Sequence, residues 1–357
     1  MISARQARRL DARGASVVPA AVPPGALVLA LGCLGGAVIA GVMTGPVRLP
    51  AGQVLAELAG RLPFLDDASG LTQRDAAILW QLRMPRVVLG ALVGAMLSAS
   101  GAAYQGVFRN PLADPYLLGA ASGAALGATL AIAAGGGYAG PVVPLAAFAG
   151  ALLGVGMAYV LGRTAGTGSG TVTLILAGVA VASFLTAIQT FVQQRDQETF
   201  RGVYRWILGS LSTSGWREVL LVLPYVTISA VALLLHRRLL DVMSVGDDEV
   251  RSLGIRASRV RIWVIAAASL GTAAAVAVSG LIGFVGIIVP HTVRLVAGSS
   301  YRVVLPLSLI FGAAFLVIAD LIARSVLSPT ELPIGVVTAF FGAPFFAIVL
   351  RSRAGSE

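Results

Sequence analysis

Ten runs of apolar and small residues alternate with polar segments along the chain, at 26–45, 86–107, 115–134, 143–161, 172–192, 218–235, 262–278, 281–296, 303–323 and 334–350. Each is about long enough to cross a hydrocarbon core of ~30 Å. Inside such a core a chain satisfies its backbone by forming helices or a closed barrel, and unbroken apolar runs predict helices rather than the alternation of a barrel. The pattern is densest from Arg83 to Gly123. Two arginines flank Pro85, an uncharged run reaches Val107, and the turn Arg109-Asn110-Pro111-Leu112-Ala113-Asp114-Pro115 leads into the next run. Gly90, Gly94, Ser98, Gly101 and Ala102 make a thin face there, which predicts close approach of other helices. Two connections are longer, 46–82 and 193–217. In the first, Val54, Leu55, Leu58 and Leu62 recur at helical spacing and predict a short amphipathic helix at the membrane surface. Trp206 and Trp216 in the second suit the same interface. The expected organisation is a polar tail over 1–24, one transmembrane unit over 25–350 and a polar tail over 351–357.

Composition sharpens this picture. Only 12% of residues are charged and 57% are hydrophobic, whereas a water-soluble domain carries roughly a quarter charged residues. The formal net charge is +10, and all 26 basic residues are arginine. They gather at the ends of the apolar runs, so the charge reads as membrane orientation, and no nucleic-acid partner is expected. Ten spans put both termini on one side; most of the arginines fall there, which makes that side cytoplasmic. Arg5, Arg8, Arg9 and Arg13 precede a full-length first span and so read as the start of an uncleaved helix. The lone Cys33 permits no disulfide within the chain, and His236 and His291 are too few and too separated for a metal cluster. Neither a metal site nor a cofactor is expected.

Two absences narrow the chemistry. A phosphate-binding P-loop needs a lysine after its glycines, and this chain has no lysine. Gly166-Thr167-Gly168-Ser169-Gly170 is therefore a turn, and any ATP-driven step belongs to a partner. The middles of the ten spans carry no Asp, Glu, Lys or Arg; Asp320 lies one turn from Arg324 near a helix end. That weighs against the main alternative, a proton-coupled secondary transporter, which places ionisable groups near the membrane midplane. The charged connection 241–256 contains Asp247, Asp248 and Glu249, suited to a helix N-terminus, and Gly254, suited to its end. His291, next to Pro290, is expected to hydrogen-bond a neighbouring helix, and Arg109 to pair with Asp114 across the turn. Phe340, Phe341, Phe345 and Phe346 serve either lipid packing or an apolar gate.

Five segments carry a family resemblance: Leu82–Arg86 (LRMPR), Gln105–Pro115 (QGVFRNPLADP), Leu117–Gly119 (LLG), Gly283–Leu295 (GFVGIIVPHTVRL) and Glu331–Phe346 (ELPIGVVTAFFGAPFF). With the loop Gly246–Gly254 they span nearly the whole chain, and they resemble the FecCD-type permeases of ABC importers for iron chelates and cobalamin. The resemblance implies an all-α integral membrane protein with about ten transmembrane helices, in the type II ABC importer permease architecture, acting as a homodimer in the bacterial plasma (inner) membrane. It implies a pathway on the dimer axis lined by the fifth and tenth helices, here through Ser183, Ala187, Phe340 and Phe341. Two ABC ATPase subunits would receive a coupling helix at Gly246–Gly254, with Val250 and Leu253 as apolar anchors and Asp247, Asp248 and Glu249 as its polar rim. A periplasmic or lipid-anchored substrate-binding protein would dock on Arg83, Arg86 and Arg324. The implied cargo is a ferric siderophore, haem or cobalamin, with Trp206-Ile207-Leu208-Gly209-Ser210-Leu211 closer to the iron-chelate members. The chain itself would be a transport subunit and no enzyme.

Overall fold

Long apolar runs with few helix breakers become helices, and the described residues hold twelve of them and no strand. The structure is a computed structural model describing residues 21–61, 70–135, 140–164, 171–212, 215–246, 250, 254 and 256–354. Among the described residues, seven helices are long and apolar enough to cross a membrane. They are α1 (Pro24–Met43), α3 (Gln73–Phe108), α5 (Val142–Thr164), α6 (Thr171–Gln193), α8 (Arg217–Val245), α9 (Ala257–Ser279) and α11 (Tyr301–Ser325). Three shorter apolar helices complete the expected set: α4 (Ala120–Ala133), α10 (Val285–Ala297) and α12 (Ile334–Ala354). Two further helices, α2 (Ala51–Gly60) and α7 (Gln197–Ile207), connect them. The amphipathic helix expected around Val54 is α2: Val54 is buried, and the neighbouring Glu57 accepts a hydrogen bond from Trp80 Nε1 at 2.9 Å. The second long connection, expected as a polar linker, contains α7. Asp196 caps it by accepting from Thr199 N at 2.9 Å, and hydrogen bonds from that helix's backbone hold the Asp196 carboxyl below the usual range.

The bundle is built around α3. From Val87 to Phe108 nearly all of its residues are buried, against α8, α9, α10 and α11. The thin face read from the sequence is where the backbones approach most closely. A Cβ on Gly101 would lie 2.1 Å from the Gly286 carbonyl oxygen, and one on Gly94 2.2 Å from that of Gly312. This is how helices associate where lipid offers no hydrophobic drive between them.

Three boundaries differ from the expectation. Helix α3 begins at Gln73, not near Arg86, because Thr72 caps it and Pro85 is absorbed beside a π-helical turn over Ile78–Arg83. The runs expected to span from 115 and from 281 are helical only from Ala120 and Val285. At 1.5 Å per residue, α4 and α10 reach only about 20 Å. The irregular segments that precede them follow α3 and α9, which run antiparallel: Met96 packs on Gly271, while Ser100 Oγ donates to Ala268 O at 3.0 Å. The two segments thus enter from opposite ends and meet at Tyr116, whose hydroxyl donates to Ile282 O (3.0 Å) and accepts from Ile282 N (3.2 Å). Non-helical backbone at membrane depth requires such internal partners.

Candidate functional site

The charged residues gather at the two ends of the bundle. At the end shared by α1, the start of α3 and the close of α11, Arg83, Arg86, Arg324, Asp320 and Glu331 form one cluster. The π-helical turn delivers Arg83 to the C-terminus of α1, where Nη1 donates to Val42 O and Met43 O, both at 2.8 Å, and Nη2 donates to Val47 O. Arg324 donates to Thr44 O at 2.8 Å and to Gly41 O. Both arginines therefore supply donors to carbonyls that a helix end leaves unpaired. Arg86 bridges two acids. Its Nη2 lies 2.8 Å from Asp320 Oδ1 and its Nε 3.1 Å from both Asp320 oxygens, while Nη1 and Nη2 lie 2.8 and 2.9 Å from the two oxygens of Glu331. Hydrogen bonding by Arg86 holds the Glu331 carboxyl below the usual carboxylate range.

The three arginines expected to dock a binding protein are thus drawn into the fold. Arg83 is 6% exposed, and Arg86 and Arg324 point inward to carbonyls and acids. The sequence could not show it, because their partners lie far away along the chain. The same geometry assigns Asp320: buried between Arg86 and Arg324, whose Nε is 3.4 Å from Oδ2, it is a fixed counter-ion.

At the opposite end the chain leaves α3 through Arg109, held in the left-handed region (φ 48°). Its Nε donates to Met243 O at 2.8 Å, so Arg109 reaches α8 and not Asp114 as expected. Asp114 accepts instead from Tyr116 N at 2.8 Å, and burial pushes its carboxyl up to about 6. Asp241, also on α8, accepts from Ser300 Oγ at 2.8 Å and from Tyr301 N, capping α11. Gln105 links α3 to α10, donating to Gly286 O at 2.9 Å and accepting from Arg294. Sequence reasoning missed this Gln105–Arg294 link, although both residues lie in the quoted motifs. These contacts fix the base of the loop that follows α8. Gly246 ends the helix, Val250 N donates back to Gly246 O at 3.1 Å, and Gly254 turns the chain with φ 73°. Val250 is fully buried within the chain. It packs inward at the base of the loop expected to meet an ATPase subunit. Asp247, Asp248, Glu249 and Leu253 lie outside the described residues.

Between the charged ends lie uncharged faces. On α6, Ser183 and Ala187 are exposed, and on α12 Phe340 is 75% exposed beside the exposed Phe341. Phe340 and Phe341 meet edge to face with centroids 5.7 Å apart, and Phe345 meets His291 edge-on at the same distance. Helix α6 packs mainly on α4 and α5, and α12 on α10 and α11. The two candidate pathway faces thus rest on different partners within one chain. A cleft of about 460 Å³ opens beside α6, reaching Ile207 and Leu281.

Comparison with known proteins gives this geometry a family. The profile of the FecCD transport family matches residues 31–352. The cobalamin import system permease protein BtuC of Halobacterium salinarum is 44% identical over 284 residues, covering 80% of this chain and 76% of that protein. The iron(3+)-hydroxamate import system permease protein FhuB of Bacillus subtilis is 37% identical over 280 residues, covering 78% of this chain and 73% of that protein. Among solved structures, a metal-chelate-type ABC transporter in an inward-facing conformation superposes with a TM-score of 0.81. It is 27% identical and covers 92% of this chain and 100% of its own.

Proposed function

Because the chain belongs to the FecCD transport family, as a permease component of an ABC importer for iron chelates, haem or cobalamin, we propose that two copies form an ATP-driven pathway between them for one bulky metal chelate. The observation that carries this reading is the division of charge. Arg86, Arg324, Asp320 and Glu331 are paired at one end and Asp241 with Arg302 at the other, while the exposed faces of α6 and α12 between them are uncharged. A face of this kind lets a large ligand slide without binding it tightly. One chain holds α6 and α12 on different partners, so a second copy supplies the other wall. The termini and the Gly246–Gly254 loop face the cytoplasm, where two separate ATPase subunits dock and hydrolyse ATP. The Arg83–Arg86–Arg324 end faces outward and seats a substrate-binding protein. There the arginines build the platform, and the half-exposed Glu331 offers the charge a partner meets. A proton-coupled carrier is not favoured, since Asp320 is locked between two arginines.

Single cysteines at Ser183 and Ala187, in a Cys33→Ser background, test the shared pathway. They are expected to cross-link between copies or to react with a water-borne thiol reagent entering from the pathway. Reaction only with lipid-borne reagent, and no cross-link at either position, would place α6 on the lipid side and remove it from the pathway.

A further inference from the structure

The cleft beside α6 presents a polar side chain that no neighbouring group among the described residues engages. Its polar lining comes from Tyr116, Ser122, Thr186, Gln189, Thr190 and Gln193. Most of the hydroxyls already have partners: Tyr116 donates to Ile282 O, Ser122 Oγ to Gly119 O at 3.1 Å and Thr190 Oγ1 to Thr186 O at 2.9 Å. Gln189 is different. It is only 6% exposed, lines the cleft, and its amide has no hydrogen-bond partner among the described residues. The residue is buried but its amide reaches the cleft, so two donors and an acceptor are open to whatever occupies that space. Helix periodicity brings Thr186, Gln189, Thr190 and Gln193 to one face of α6, so the amide is part of a polar stripe on an otherwise apolar helix.

We propose that Gln189 is a hydrogen-bonding station for the neutral amide or hydroxamate rim of the transported chelate. The proposal rests on the transport reading above and narrows its cargo. An amide donates to a carbonyl and accepts from an N–H at once, which suits a rim carrying such groups. No charged side chain lines the cleft among the described residues. A carboxylate-rimmed chelate would therefore lose its hydration there without gaining a counter-charge. The volume, about 460 Å³, lies in the range of small-molecule pockets and suits one edge of a large chelate.

The test uses the permease with its ATPase and binding protein in proteoliposomes. Thr186→Cys, in a Cys33→Ser background, places a thiol on the exposed lining of the cleft. Its labelling by a water-soluble maleimide is followed during turnover with ferric ferrichrome, cyanocobalamin, ferric citrate or haemin. Protection by ferrichrome or cyanocobalamin, and not by ferric citrate or haemin, is the expected result; which of the two protects identifies the rim as hydroxamate or amide. Adding Gln189→Leu, close in volume and unable to hydrogen-bond, should raise the half-protecting concentration by about tenfold, with the complex still assembled. Equal protection by carboxylate chelates, protection by none of the four, or protection unaffected by Gln189→Leu overturns the proposal. In the last case the amide holds only a structural water. Failure of the transport reading itself would look different, with no ATP-dependent uptake of any chelate by the unsubstituted protein.

Discussion

Asp320→Ala should destabilise the permease by about 3–5 kcal/mol, the usual cost of removing one partner from a buried ion pair. Asp320 is buried and receives Arg86 through both Nε and Nη2, with Arg324 one helical turn away. Without it, the buried Arg324 loses its acid and Arg86 keeps only Glu331, in a site that water barely reaches. The effect should appear as a lowered thermal midpoint in detergent. Because Arg324 also donates to the last carbonyls of α1, α1 should become accessible to protease first. Glu331→Ala is the internal comparison. Its carboxylate also meets Arg86 but is half-exposed, and exposed pairs contribute about 1 kcal/mol or less. Replacing Arg86, Asp320 and Arg324 together with leucine should recover part of the loss, since only the half-exposed Glu331 then keeps a charge. An Asp320→Ala protein that melts with the unsubstituted one would show that the cluster is solvated and contributes little.

The second large effect concerns packing. Gly101→Val puts a branched side chain where even a Cβ would lie 2.1 Å from the Gly286 carbonyl oxygen. Neither α3 nor the start of α10 can move alone, since Gln105 ties them together four residues along. The helices must part, and overpacking of this kind costs about 3 kcal/mol or more when backbone is the obstacle. The expected result is loss of folded protein after extraction. Gly156→Ala is the control: nothing lies within 4 Å of its Cβ position, and alanine is the better helix former by about 1 kcal/mol. Equal yields of the two variants would contradict the close approach of α3 and α10.

Much of the architecture was legible in the sequence, and the failures have physical reasons. The apolar runs announced the helices because lipid demands uninterrupted hydrophobicity, and Gly94 and Gly101 announced the close contacts because only glycine permits them. Arg83 and Pro85 looked like a helix boundary, since charge and proline usually end a span. Here a π-helical turn and the α1 carbonyls absorb both. Leu281, Ile282 and Phe284 looked like the start of a span because they are apolar, yet Gly280 and Phe284 take positive φ and delay the helix to Val285. Composition sees hydrophobicity and not backbone direction. The arginine cluster was visible only as separate charges: Arg86 and Asp320 stand 234 positions apart, and only the fold brings them together. Val250 was recognisable as an anchor, but the direction it faces is a tertiary property. Gln189 drew no notice at all, because one glutamine in an apolar helix becomes informative only when its surroundings offer no partner.

The central claim is that this permease passes a metal chelate using ATP hydrolysed by a partner. It is tested most directly by chelate uptake into proteoliposomes containing the permease, its ATPase and its binding protein, with proton and sodium gradients collapsed by ionophores. Uptake that requires ATP and hydrolysis-competent ATPase, and that persists with both gradients abolished, is the predicted result. Uptake by the permease alone, driven by an imposed proton gradient and indifferent to ATP, would contradict it.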